Sequence, residues 1–163
     1  TEVIRFNSRG GSSNTILDHS YAEELQDGDG SPAWIHFVAT WNRTANTMAM
    51  YINGSKVAQS TNSITSYATT ADTIYIGKPG NANNAFFKGN FSSLSLFDET
   101  ISDASVTTLY NSGKPGDVSK SGIDGLVAWL PLDEREGNFI DRTSTGADGV
   151  PQNTPTQGDT SVP

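Results

Sequence analysis

The sequence contains no cysteine. That excludes a disulfide framework, thiolate zinc sites and thiol catalysis, and it leaves the compartment open. Basic charge is sparse as well: Lys and Arg total 10 against 18 Asp and Glu, for a net charge of −8. The basic residues stand singly, whereas neutralising phosphates takes clustered Lys and Arg, so nucleic acid is not expected as a partner. An anionic membrane surface is disfavoured on the same ground. No apolar run approaches the roughly 20 residues that span a bilayer. No signal peptide is visible, and a start at Thr1 without methionine reads as a processed or cut-down chain.

What remains is a chain of 163 residues, rich in Ser, Thr and Asn, with 16 Gly and 7 Pro and only 17% charged residues. This profile suits one all-β, loop-rich domain large enough to bury a core. Period-2 alternation dominates. Val3, Ile4 and Phe6 open a strand that should end at the breaker "NSRGGSSN", and 14–18 suggests another. The acidic stretch "YAEELQDGDGSP" reads as a loop or a single helical turn.

The stretch "AWIHFVATWNRTANTMAMYINGSK" carries the clearest signal. Trp34 to Trp41 reads as a central strand, apolar on both faces. Thr47 to Ile52 then alternates, with Met48, Met50 and Ile52 on one face. Asn53-Gly54 predicts a hairpin turn, because both residues tolerate the positive φ it demands, and the return strand is Ser55 to Gln59. The aromatics and methionines are the core face of adjacent antiparallel strands. By parity, Trp34 and Trp41 point to opposite faces, so at most one joins the methionines.

Further on, 73–77 ("TIYIG") predicts a strand, and "FFKGNFSSLSLFDE" one bent strand or two, with Leu94 and Leu96 inward. A single short helix follows, capped by Ser102, favoured by Asp103 at its positive end, striped by Val106, Leu109 and Tyr110, and stopped by Gly113. Gly125 to Leu132 is the last strong strand, and the Gly/Pro/Thr-rich segment after it should lie over the surface without regular structure. The fold class is therefore an all-β antiparallel β-sandwich with one short helix.

Several of these motifs, "WIHFVATWN…MYING", "IYIGKPG…FFKGNFSSLSLFDETISDASVTTLYNSG" and "GLVAWLPLDEREGNFIDRTSTGADG", resemble signatures of the laminin-G-like, concanavalin A-like lectin/glucanase superfamily. The resemblance covers roughly residues 33–150 and implies a jelly-roll sandwich. It says little about activity, since this fold hosts lectins, adhesion modules, glycanases and virion proteins. The element "LVAWLPLDE", which usually opens such a module, here comes last. That order resembles permuted arrangements in phage and marine-virus structural proteins, in which sequence ahead of Thr1 would supply early strands. Residues 1–150 are thus expected to form one module and 151–163 an extended tail. Where the family commonly has an acidic residue after F-x-G-x-I, this chain has Ser92 followed by Ser93.

Catalysis finds little support. His36 sits within a strand, where packing explains it, and with His19 it completes the histidine count. No Ser-His-Asp arrangement can be built on either. Glycanase chemistry needs paired carboxylates ~5–9 Å apart, and the E-x-D-x-x-E pattern of jelly-roll glucanases is absent. Asp133, Glu134 and Glu136 read as a solvated loop. A structural calcium ion is the sharper expectation, because hard cations take several oxygen ligands from a glycine-bearing loop. Asp141 and Asp148 are the candidate ligands, with Asp27 and Asp29 a second, shorter candidate; the competing reading is plain Asp-Gly turns. Asn42, Asn53 and Asn90 match the glycosylation pattern, which arises readily by chance in such a composition.

The function expected is a non-enzymatic module on an extracellular or virion surface, of phage decoration or fibre type, facing a glycan or host-surface ligand within an assembly of other subunits. The alternative is a carbohydrate-binding module of a secreted glycoside hydrolase.

Overall fold

The structure is a computed structural model and describes residues 3–10, 13–20, 33–61, 73–77, 87 and 89–158. The described residues form seven strands in three antiparallel sheets. β1 (Val3–Gly10) pairs with β2 (Ser13–Ser20). β3 (Phe37–Asn42), β4 (Thr47–Ile52) and β5 (Ser55–Ser60) form a meander with β4 in the middle. β6 (Leu94–Phe97) pairs with β7 (Leu126–Leu130). Among the described residues the one α-helix is α1 (Asp103–Tyr110), followed by 3-10 turns at Asn111–Gly113 and Val118–Lys120. The expected all-β sandwich with one short helix is what the chain forms.

β4 is the centre of the core. Its Met48 and Met50 are closed off by Leu17 of β2, with Ile4, Phe6, Trp41 and Val57 around them. The opposite face presents Ala49 and Tyr51 to Ile101 and Val106, with Val38, Phe97 and Leu109 packed alongside. Hairpin and helix thus cover the two faces of one sheet, and β4 is buried on both. The parity argument holds. Trp41 stands opposite Met48 and joins its cluster, while Trp34 is 40% exposed.

The Asn53-Gly54 turn forms as the sequence indicates, with φ of 50° and 79°. Ser102 caps α1 by accepting the Ser105 amide at 3.1 Å. The helix ends earlier than expected: its C-cap is Asn111, in the left-handed region at φ 47°, two residues ahead of Gly113. Asn tolerates that region because its short amide bonds locally, and here its Nδ2 donates to the Lys114 carbonyl at 3.2 Å.

Other expectations change. The "NSRG" part of the expected breaker belongs to β1, whose pairing continues to Gly10 opposite Ser13. Ladder bonds are backbone bonds and need no apolar side chain. Segment 73–77 is not a strand, and Ile74, Tyr75 and Ile76 are all exposed. Alternation creates a face to bury, but a strand also needs a paired ladder, and no described strand pairs with this segment. Strand structure begins at Phe37 rather than Trp34 and ends at Leu130 rather than Leu132. Residues 151–158 carry no helix or strand, and Gln157 Nε2 donates to the Gly137 carbonyl at 3.0 Å.

Candidate functional site

Three places have the chemistry or the shape to act. The first is the loop after β7, where the calcium ligands were expected. Asp141 is 6% exposed. Its Oδ1 accepts the amides of Trp129 and Thr143, each at 2.9 Å, and its Oδ2 accepts the Ala147 amide at 3.0 Å. The Thr145 hydroxyl lies 2.6 Å from Oδ2, and that of Thr143 2.8 Å from it. The Thr143 and Thr145 hydroxyls also approach the Val127 carbonyl, at 3.3 and 2.7 Å respectively. Two hydroxyl protons are therefore shared among the carboxylate and that carbonyl. Asp148 faces Asp141 only through Oδ1, which accepts the Asp141 amide at 2.9 Å. Burial pushes the Asp141 carboxyl up, but the bonds from Thr145, the Trp129 and Thr143 amides and the Thr143 hydroxyl outweigh it and hold the group well below the usual carboxylate range.

This donor set does not fit a calcium ion. Calcium takes six to eight oxygens with lone pairs free to face it. Here three amide hydrogens already point at one carboxylate, and the second carboxylate is spent on an amide. Among the described residues, no group of three or more His, Asp or Glu gathers as a metal site. Asp141 instead pins the loop to β7 on both sides, since Arg142 N also donates to the Trp129 carbonyl at 2.8 Å. Asp27 and Asp29 lie outside the described residues. The expected solvated loop at 133–136 is only partly so. Glu134 has a side chain just 12% exposed and lies 3.3 Å from Arg142, and its Oε1 accepts the Ile140 amide at 3.0 Å.

The second place is the junction of the β4–β5 turn with α1. Asn53 N–H donates to the His36 carbonyl at 2.9 Å, and Asn53 Oδ1 accepts the His36 amide at 2.9 Å. The Tyr110 ring lies over Gly54, where a Cβ would meet its Cδ1 at 3.0 Å, and beside His36 with centroids 5.8 Å apart. Tyr51 Oη donates to Asp103 Oδ1 at 2.7 Å, and Lys56 Nζ pairs with Asp103 Oδ2 at 2.9 Å. Helix and hairpin are thereby clamped at both ends. Outside the clamp is a shallow hollow formed by Asn53, Ser55, Thr107, Tyr110, Asn111 and Ser112. Amides and hydroxyls surround one aromatic ring, without a formal charge. Sequence reading assigned Asn53 to the turn and Tyr110 to the helix stripe, and nothing in their spacing announced that they share a wall.

The third place is a cavity of about 2550 Å³ bounded by β3 on one side and β6 on the other. Trp34, Phe37, Phe87 and Phe91 lie on its wall and are 40–56% exposed.

A family model, the concanavalin A-like lectin/glucanases superfamily, matches residues 3–107. The chain belongs to the concanavalin A-like lectin/glucanase superfamily. The match spans β1 to β6 and most of α1, so it includes β3, β6 and the Tyr51–Asp103–Lys56 end of the clamp, while Tyr110, β7 and the Asp141 loop lie beyond it. Among solved structures, an S-layer domain-containing protein from Clostridium thermocellum is similar at 23% identity and a TM-score of 0.44, over 66% of this chain and 51% of that one. The chain thus spans about half of that structure's length. No curated protein matches. No helix among the described residues is long and apolar enough to cross a membrane.

Proposed function

We propose that this chain is a non-catalytic recognition module on an extracellular or virion surface, and that it binds a glycan in the hollow beside Tyr110. The observation that carries the reading is the chemistry of that hollow. Sugar hydroxyls are matched by neutral donors and acceptors together with an aromatic face, and Asn53, Ser55, Thr107, Asn111 and Ser112 around Tyr110 supply both. The non-catalytic part draws support from how the described acidic groups are used. Asp18 pairs with Arg5, Asp103 with Tyr51 and Lys56, and Asp141 holds its loop. Each of these three carboxylates is engaged by cations, amides or hydroxyls, whereas glycoside hydrolysis needs a pair free to act as acid and base or nucleophile.

The test is a glycan array followed by calorimetry on the best ligand. Replacing Ser55 and Thr107 together by Ala removes two hydrogen bonds of roughly 1 kcal/mol each and should weaken binding by more than about tenfold. Both side chains are exposed, so the melting temperature should hold. Affinity unchanged in the double variant would remove the hollow as the site. Turnover of the ligand would replace the binding reading by a hydrolase one.

A further inference from the structure

Tyr110 is a partition. With Asn53, Thr108 and Asn111 it lines both the hollow and the larger cavity between β3 and β6. His36 lines that cavity and not the hollow. Its ring stands 5.8 Å from the Tyr110 ring, centroid to centroid, with 35° between the planes. The His36 backbone is tied to another residue of the same wall: Asn53 Oδ1 accepts its amide and Asn53 N–H donates to its carbonyl, each at 2.9 Å. His36 therefore stands behind two residues of the hollow without being part of it.

The ring is held in a way that suits one protonation state. His36 Nδ1 is buried and has no hydrogen-bond partner. A neutral imidazole can leave a bare lone pair there, at some cost. An imidazolium carries N–H on both nitrogens, so Nδ1 would become a charged donor with no acceptor in reach, which costs far more. From α1 the titratable group that faces the ring is the Tyr110 phenol, and Asn53 on the β4–β5 turn is neutral. Arg43, Asp98, Glu99, Lys114, Asp117 and Lys120 share the cavity wall, and Asp117 and Lys120 pair with each other at 2.9 Å. Among the described residues, none of these charges moves the His36 titration; burial holds it below its ordinary value of 6.5. The ring is thus neutral at pH 7 and gains its charge in mild acid. The other histidine, His19, lies on β2 opposite Ile4 and on neither wall.

Resting on the reading of the hollow as the glycan site, we propose that His36 is a positioning residue for that site: uncharged it backs Tyr110 and Asn53, and charged it leaves its place, so that the module holds its glycan at neutral pH and releases it in mild acid. A charged ring gains by reaching water, and Tyr110 then loses the ring behind it. Only chains with the neutral ring keep the hollow in shape, so affinity falls with their fraction, by up to about tenfold for each pH unit below the folded pKa.

Calorimetry against pH tests this on the whole chain, with the tightest-binding neutral glycan of the array as the probe. Parent affinity should be level between pH 8 and pH 7 and at least about threefold weaker at pH 5. His36→Phe keeps a ring behind Tyr110 and cannot charge, so it should bind like the parent at pH 7 and keep that affinity at pH 5. His36→Ala should bind weakly at both, since nothing then backs Tyr110. Should His36→Phe fail to fold, His36→Gln, which cannot charge either, takes its place. Affinity that stays level to pH 5 in the parent, or falls equally in the variant that cannot charge, would overturn the proposal. The NMR signals of the Tyr110 ring, followed without glycan, tell its failure from that of the hollow. They should shift with the His36 titration in the parent, and signals that ignore that titration would remove the positioning role. Glycan affinity untouched by the Ser55 and Thr107 substitutions would instead remove the hollow as the site, and with it the acid release, even where Tyr110 follows His36.

Discussion

At the scale of single residues, the contrast between Met50 and Asp141 shows what a linear pattern carries. Met50 is fully buried, in the face its alternation with Met48 assigns it to. Side-chain direction in a strand depends only on parity, so a local pattern suffices. Truncating Met50 to Ala should cost about 2–5 kcal/mol in denaturant unfolding, and a loss under about 0.5 kcal/mol would contradict its place between hairpin and sheet. Asp141 was legible as a loop organiser but not as to what it organises. Two aspartates among glycines and hydroxyls suggest a cation, yet the groups that reach Asp141 include the Trp129 amide, 12 residues back on β7. No spacing rule encodes that return. The acid limb of stability follows from it. The folded-state pKa of Asp141 lies below its ordinary value of 3.8, so its contribution is complete above that pH and is lost as pH falls through the folded value. Removing the carboxylate by Asp141→Ala also strands amide donors, at about 1–3 kcal/mol for each one left unsatisfied. The variant should therefore be less stable at pH 7, and the difference from the parent should shrink below about pH 4. A gap that stays constant down to pH 2 would mean the carboxylate is not held as the geometry shows.

At the scale of elements, turns and caps were legible because they are decided locally. Asn53-Gly54 takes positive φ at both residues, and Ser102 caps the helix. Strands were less legible, because a strand exists only with its neighbour. Segment 73–77 has the alternation and remains exposed, whereas the polar end of β1 has none and is paired. The loop 141–148 is the element on which metal dependence turns. Since N–H and O–H groups already serve its carboxylate, EDTA and added calcium should both leave the melting temperature unchanged, a cation being able to stabilise only what it binds. A melting temperature that drops in EDTA and recovers with calcium would show instead that the crowded oxygens of Asp141, Thr143, Thr145 and Val127 close on an ion.

At the scale of the molecule, β7 decides how far the domain extends. The family match ends at residue 107, yet the sheet that contains β6 is made with residues 126–130. Asp98 N–H donates to the Gly125 carbonyl at 2.9 Å, and Trp129 Nε1 donates to Ser93 Oγ at 3.1 Å. Ala128 and Leu130 are buried, at 3% and 4% exposure. β6 therefore takes a partner strand from beyond the matched residues, at Leu126–Leu130. Cutting the chain after Lys120 removes β7, the strand with which β6 pairs among the described residues. Losing two buried side chains at roughly 1.5–3 kcal/mol for a large one, together with a ladder of hydrogen bonds, is a large part of the 5–15 kcal/mol that holds a domain folded. Chain 1–120 should then lose its cooperative urea transition, read by the fluorescence of Trp41 in the methionine cluster. Adding a peptide of residues 121–158 in trans should restore the transition in a concentration-dependent way, as strand addition to an open edge does. An unchanged urea midpoint in chain 1–120 would show that β7 is an appendage, and that the sandwich is complete without it.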